Sequence, residues 1–293
     1  MKVLIIGSEG MLGHDLVDIL SYENEVKTTT IDTLDITNID KTIEIVKEIN
    51  PDVVVHAAAF TDVDGSEANP DLAYKVNALG TRNVAVACSE TDSAMVYICT
   101  DYVFDGSKGS PYEEADCPRP LNVYGNTKLA GEYFVRCGVD MHFVVRTSGL
   151  FGKAPCRAKG GRNFVDLMLK LAKDRGEVKV VDSEWVTPTS TRELARQIVV
   201  LSRSDAFGLY HATAEGACSW YEFAHEIFAI TDTPVSLKVA GPNEFPAKVP
   251  RPKYSVLENR ALKLQGLNAF ATWQDGLREY LGVAQSHAAA QSR

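Results

Sequence analysis

The stretch "KVLIIGSEGMLGHDLVDILS", Lys2 to Ser21, decides the fold. It opens with five residues that read as a buried strand. It continues through "GSEGMLG", in which Gly7, Gly10 and Gly13 stand three apart, and it closes on Leu12, Leu16, Val17, Ile19 and Leu20 at helical spacing. Strand, glycine turn and helix in that order form a close variant of the dinucleotide fingerprint. Glycine lets the backbone turn sharply and approach a pyrophosphate, and the helix start offers free N–H groups and the positive end of its dipole. A glycine triplet alone is weak evidence; this context strengthens it.

The same alternation runs on. "EVKTTTI", "DVVVHAA", "AMVYICT" and "HFVVRTS" read as strands. "NIDKTIEIVKEI", stopped by Pro51, the long "NPDLAYKVNALGTRNVAVACSE" after Pro70, and "NTKLAGEYFVRC" read as helices. Near-continuous apolar strands separated by helices predict an α/β fold: a doubly wound, Rossmann-type parallel sheet, with ligands at the carboxyl ends of its strands. After Ser148 the pattern becomes irregular. "EVKVV" reads as a strand that returns to the sheet, "GLYHATA" as another strand, and "FVDLMLKLAK", "TRELARQIVVLS", "SWYEFAHEIFAI" and "ATWQDGLREYL" as helices. Pro234, Pro242, Pro246, Pro250 and Pro252 predict loops and short strands. The expected organisation is a nucleotide-binding core at 1–147 and about 177–205, a smaller substrate-binding lobe at about 148–176 and 206–281, and a flexible tail at 282–293.

Bulk composition excludes several classes. The chain has 293 residues, 45% hydrophobic and 24% charged, with a formal charge of -9 and no basic stripe, so nucleic acid is not an expected partner. The N-terminal apolar run is too short for a signal peptide, and no later run reaches the about 18 apolar residues of a membrane span. A cytoplasmic protein is the expectation. Cys88, Cys99, Cys117, Cys137, Cys156 and Cys218 form no CxxC pair, and His14, His56, His142, His211, His225 and His287 form no HxxxH, so reduced structural thiols are expected and no metal-ligand cluster is visible.

The candidate site gathers at strand ends. Asp32 and Asp35 close the second strand, where an acid can bind adenosine ribose hydroxyls and repel a 2′-phosphate, so local charge favours NADH. Ala57, Ala58 and Ala59 follow the third strand, as a floor for the cofactor or as tight sheet–helix packing; His56 reads as structural. Thr100 and Asp101 end the fourth. Tyr124 and Lys128 in "NVYGNTKLAG" then lie about one helical turn apart. Hydride addition to a ketone makes an alkoxide that needs a proton. Tyrosine, with an ordinary pKa of about 10, can give it. A nearby ammonium would lower that pKa, Lys128 can hold a ribose, and Thr100 can position a carbonyl.

With these residues the sequence resembles the dTDP-4-dehydrorhamnose reductase family of the extended short-chain dehydrogenase/reductases. The resemblance covers about residues 1–280, through "GSEGMLG", "PDVVVHAAAFTDVDGSE", "VNALGTRNVA", "CTDYVFDG", "PLNVYGNTKLAGE", "VVRTSGLFG", "GLYHATAEGACSWYEFA" and "RPKYSVLEN". It implies reduction of the C4 ketone of a dTDP-6-deoxy-hexulose. Tyr124 would be the proton donor, Lys128 would sit beside the ribose, and Thr100 and Asp101 would sit at the sugar. Tyr102, Asn163 and Arg251 would be further substrate contacts; Arg251 could pair with a diphosphate or merely occupy a surface loop. Gly7, Gly10, Met11, Leu12, Gly13, Asp35, Ile36, Ala59, Phe60, Thr61 and Ile98 would line the cofactor. The family implies NADPH, sometimes NADH, which leaves both open, and Mg²⁺ at a dimer interface, which leaves Mg²⁺ and a monomer or homodimer as open expectations. Two positions depart from the family. Its Trp after "RTS" is here Gly149, and its "DQxGxPT" is "SEWVTPT", Ser183 to Thr189, so Trp185 or Phe151 would have to supply an apolar sugar platform. Trp220 reads as core. Related readings are another nucleotide-sugar reductase, an epimerase or dehydratase, and a cofactor-binding regulatory subunit like the β subunit of methionine adenosyltransferase.

Overall fold

The computed structural model describes residues 1–155, 160–241, 244–245 and 248–283. Cys156, Pro242, Pro246, His287 and the tail from 284 lie outside them. The elements run β1 (Lys2–Ile6), α1 (Met11–Leu20), β2 (Glu25–Thr29), α2 (Ile39–Ile49), β3 (Val53–His56), α3 (Val63–Ala68) and α4 (Pro70–Tyr74). A π-helical segment, Lys75–Gly80, leads into α5 (Thr81–Glu90) and β4 (Ala94–Thr100). α6 (Val123–Gly138), β5 (His142–Thr147), β6 (Leu150–Phe151), α7 (Phe164–Arg175), β7 (Glu177–Val180), β8 (Trp185–Val186), β9 (Thr189–Ser190) and α8 (Thr191–Ser202) follow. The chain ends with β10 (Gly208–His211), β11 (Cys218–Ser219), α9 (Trp220–Ile230), β12 (Ser236–Val239), α10 (Arg260–Leu264) and α11 (Trp273–Leu281).

The main sheet has six parallel strands in the order β10-β5-β4-β3-β1-β2. Alternation along β1 explains the two layers that cover it. Val3 and Ile5 pack with Leu16 and Leu20 of α1 and with Leu194 and Ile198 of α8. Leu4 and Ile6 pack on the other face with Val46 of α2, Val84 of α5 and Val135 of α6. Burial on both faces is why these strands read as continuous apolar runs. The order reverses beside β1, so the connections leaving β1 and β3 diverge there and open a crevice at the carboxyl edge.

One strand expectation is overturned. "EVKVV" does not return to the large sheet: β7 pairs in parallel with β12, from Glu177↔Ser236 to Val180↔Val239. The place beside β5 is taken by β10, with Gly208 opposite Phe143. Val178 and Val180 instead face a third core with Phe151, Met168, Phe223, Ile227, Trp273 and Leu277. Trp220 packs on that core, its ring 4.7 Å from Phe164.

Candidate active site

β1 delivers the chain to Gly7 at φ 89°, a left-handed conformation that suits glycine, and a Cβ there would lie 2.7 Å from the Ala58 backbone nitrogen. The glycine loop thus sits directly against the end of β3. Ala58 has a packing role in this contact. Gly7 and Ser8 both donate backbone N–H bonds to Thr29 O, which ties the loop to β2 as well. Met11, Leu12 and Gly13 open α1, whose first four N–H groups have no partner within the helix. Asp32 and Asp35 are exposed just past β2, and Asp35 accepts from Thr37 N at 2.9 Å. Ile36 packs with the core on one face of the sheet and Ile98 with the core on the other.

The loop Ala59–Phe60–Thr61 is held by a residue the sequence reading did not single out. Asn77, in the π segment, accepts from Phe60 N at 2.7 Å and donates to Phe60 O and to Thr127 Oγ1, both at 3.0 Å. It belongs to "VNALG", where nothing local marks it.

Thr100 and Asp101 end β4. The Thr100 hydroxyl donates to Asp101 at 2.9 Å and accepts from Tyr102 N at 3.2 Å. Ser148 donates to the other Asp101 oxygen at 2.9 Å. Burial raises the Asp101 carboxyl above its ordinary range, opposed by hydrogen bonds from Ser255, Ser148 and Thr100. Asn122 caps α6 by accepting from Gly125 N at 2.9 Å, and its amide donates to Pro250 O at 2.9 Å. The capped first turn places Tyr124 edge-on to Tyr102, rings 5.9 Å apart.

Burial, then the nearby Cys99 and Asp101, push the Tyr124 phenol well above its usual value, and the Thr100 hydroxyl pulls it down only in part. The expected lowering by Lys128 does not figure among the influences on this phenol; the Thr100 hydroxyl is what lowers it. Lys128 lies one turn further along α6, almost fully buried. Desolvation lowers its ammonium to about 8. Its Nζ rests 4.3 Å from the centre of the Tyr97 ring. His56 is a structural residue: it bonds Thr81 Oγ1 at 3.0 Å, and burial followed by the Lys128 charge holds it down to about 3.

Two substrate expectations change. Asn163 caps α7, and its amide nitrogen already reaches Gly152 O at 2.8 Å, Asp166 at 3.0 Å and Tyr280 OH at 2.9 Å, so it is committed to the second lobe. Phe151 is 1% exposed inside the third core and offers no platform. Gly149 has φ 58°, and a Cβ there would lie 2.9 Å from Thr187 O and 3.0 Å from Val186 Cγ2. The direction a larger side chain would take is filled by residues 186–188. Trp185 beside them stays 38% exposed, its backbone bonded to Lys253 and Ser255. Arg251 is exposed and faces Asp64 across 3.4 Å, close enough to Tyr102 to act on its phenol.

The residues fit a dinucleotide. Among the described residues, four buried side-chain polar atoms have no hydrogen-bond partner: Thr29 Oγ1, His56 Nδ1, Thr147 Oγ1 and Glu193 Oε2. The first three belong to the last residues of β2, β3 and β5, along the edge where the crevice opens. Buried polar groups normally find partners, so unsatisfied atoms along one edge mark where a polar ligand would supply them. No group of three or more His, Cys, Asp or Glu residues among those described could hold a metal ion, so nothing supports Mg²⁺. No helix among the described residues is long and apolar enough to cross a membrane.

Comparison with known proteins agrees with this geometry. The family model described as "RmlD substrate binding domain" matches residues 1–286. The spore coat polysaccharide biosynthesis protein SpsK of Bacillus subtilis is 37% identical over 281 residues, 96% of each chain. A solved dTDP-4-dehydrorhamnose reductase of Clostridium acetobutylicum superposes with a TM-score of 0.92 at 41% identity, covering 96% of this chain and 99% of that one. The Bacillus anthracis dTDP-4-dehydrorhamnose reductase, solved in complex with NADP, gives 0.91 at 40%, covering 96% and 98%.

Proposed function

This chain belongs to the RmlD substrate-binding-domain family, and from that premise we propose that it reduces the C4 ketone of a dTDP-linked 6-deoxy-hexulose, dTDP-4-dehydro-L-rhamnose, at the expense of NADPH or NADH. The observation that carries the reading is the Thr100 hydroxyl beside the Tyr124 phenol at the carboxyl edge, with Lys128 one turn further along the same helix, near a glycine loop and a row of unsatisfied strand-end polar atoms.

A reduced nicotinamide bound along that edge supplies the hydride. The chain supplies position and protons. Thr100 gives its one hydroxyl proton to Asp101, which Ser148 holds, and turning that hydroxyl from Asp101 to the ketone oxygen when the sugar binds would position the carbonyl. Tyr124, kept protonated by burial, gives its phenolic proton to the developing alkoxide, a much stronger base than phenolate. Lys128 offsets the phenolate charge that results and bonds the ribose. Arg251, drawn from Asp64, meets the diphosphate. The six-stranded core holds the cofactor, and the lobe around Phe223 and Trp273 closes over the sugar.

The acid at the end of β2 refines the cofactor. Neither Gly7–Gly13 nor residues 28–37 contain Lys or Arg, and Lys27 lies 3.2 Å from Glu25. NADH therefore serves this chain at least as well as NADPH, although the Bacillus anthracis relative was solved with NADP. The test is a panel of nucleotide keto-sugars assayed in parallel with both cofactors. One reduced nicotinamide consumed per dTDP-4-dehydro-L-rhamnose supports the reading. Sugar conversion without net cofactor consumption would make the chain an epimerase, and no conversion of any keto-sugar would end the proposal.

A further inference from the structure

We propose that Tyr97 is a positioning residue for the reaction: it holds Lys128 at both ends, its hydroxyl on the Lys128 backbone carbonyl and its ring face under the Lys128 ammonium. This rests on the reductase reading above. Tyr97 lies on β4, fully buried, three residues before Thr100. Its hydroxyl donates to Lys128 O at 2.9 Å, and its ring centre is 4.3 Å from Lys128 Nζ. The lysine side chain therefore folds back over the residue that binds its own main chain.

The arrangement has a clear chemical purpose. An ammonium removed from water loses its hydration, and among the described residues no carboxylate lies within bonding distance of it. An aromatic face is an electrostatic partner that attracts the cation without neutralising it. It also leaves the N–H groups on the far side free to donate. The hydroxyl contact adds register. Lys128 O belongs to the helix that also carries Tyr124, so a bond from β4 to that carbonyl fixes α6 against the strand that carries Thr100. Gly131 makes room for it: a Cβ at that position would lie 2.5 Å from the Tyr97 hydroxyl and 2.6 Å from Asn77 O. Cys99, two residues further on, also points at Lys128 O, at 3.8 Å.

The titratable groups around this pair are His56 on β3, Cys99 on β4, Tyr124 and Glu132 on α6, and Arg146 on β5 behind Cys99. Burial pushes Cys99 up to about 12 and His56 down to about 3, so both are neutral near pH 7. Glu132 is taken by Arg146, with contacts at 2.8 and 2.9 Å. Tyr124 carries no charge until it gives up its proton, which leaves the Tyr97 ring as the aromatic face in direct contact with the Lys128 ammonium.

The experiment compares the full-length wild type with Tyr97→Phe, with mono- and difluorinated phenylalanine at 97, and with Tyr97→Leu. Fluorine weakens the ring face while leaving packing almost unchanged, so these variants keep the test open if the leucine variant fails to fold. Three quantities are read: the Lys128 titration by NMR of isotope-labelled lysine in the ligand-free protein, the NAD(P)H dissociation constant, and the pH profile of kcat/KM. Tyr97→Phe is expected to lower kcat about threefold, one lost neutral hydrogen bond, with the Lys128 titration in place. Fluorination is expected to move that titration stepwise to lower pH, by about one unit in all, and the alkaline limb of kcat/KM should follow. A Lys128 titration unmoved by fluorination, or moved equally by Tyr97→Phe, would overturn the inference. The NMR titration needs no turnover, so it judges the Tyr97–Lys128 contact even if the keto-sugar panel fails and the reductase reading falls.

Discussion

Glu132 and Arg146 are fully buried charges directly behind the reacting centre. Glu132 lies one turn beyond Lys128 on α6, and Arg146 on β5 meets its carboxylate with both Nε and Nη2, at 2.9 and 2.8 Å. The guanidinium also lies 5.2 Å from the Phe104 ring and within 3.4 Å of His211 Nε2. Such a pair is weak evidence for stability as a whole but costly to break on one side, because the remaining charge is left buried. Arg146→Met is therefore expected to lower unfolding free energy by about 3–5 kcal/mol, read from denaturant midpoints, and the double variant Arg146→Met/Glu132→Leu is expected to recover much of it. A single variant within about 1 kcal/mol of wild type would contradict this account, given that the exposed Arg136, 3.3 Å from Glu132, is the other cation beside it. The pair was not legible in the sequence, where a Glu and an Arg read as solvated surface. Tyr124, Lys128 and Thr100 were legible, because helical spacing and a strand end are local features. The raised state of the Tyr124 phenol was not, because it depends on how deep α6 sits.

The helix between Pro70 and Glu90 reads in sequence as one continuous element, and it is continuous, but six of its residues wind as a π-helix. Widened turns of this kind often mark functional sites. Here the segment presents Asn77 to the loop after β3, where both backbone groups of Phe60 bond to it. Apolar periodicity cannot reveal such a segment, since the change is in hydrogen-bond register rather than composition. Asn77→Ala would leave Phe60 N and O without their partner. A loss of about 2–3 kcal/mol, a melting temperature lower by several degrees and roughly tenfold weaker NAD(P)H binding are expected, read by thermal melts and cofactor titration. Unchanged cofactor affinity would detach the π segment from the site.

Across the whole molecule, the doubly wound sheet was legible because strands buried on both faces and regular helices between them leave a strong pattern. The exchange of β7 for β10 was not. "EVKV" and "GLYH" are both four-residue strands, and which one joins β5 is settled by distant packing against Phe223 and Trp273 rather than by local propensity. Folding as a unit also buries two neutral imidazoles. His56 and His211 are each held down to about 3 from 6.5, by burial first, then by Lys128 and Arg146 respectively. The unfolded chain takes up protons at these residues below about 6.5 and the folded chain does not until about 3, so their contribution is complete above the unfolded value and lost as pH falls through that window. The melting temperature is expected to drop between about pH 6.5 and 5, before ordinary carboxylates titrate; a flat profile there would contradict the neutral assignment.

The central claim, that Tyr124 protonates the alkoxide formed from a nucleotide-linked ketone, is tested most directly by Tyr124→Phe, assayed for reduced-nicotinamide consumption with dTDP-4-dehydro-L-rhamnose alongside a cofactor-binding titration. The account predicts turnover lower by about 10²–10⁴-fold, the usual contribution of a positioned acid, with cofactor affinity nearly unchanged. Turnover close to wild type in that variant would contradict it.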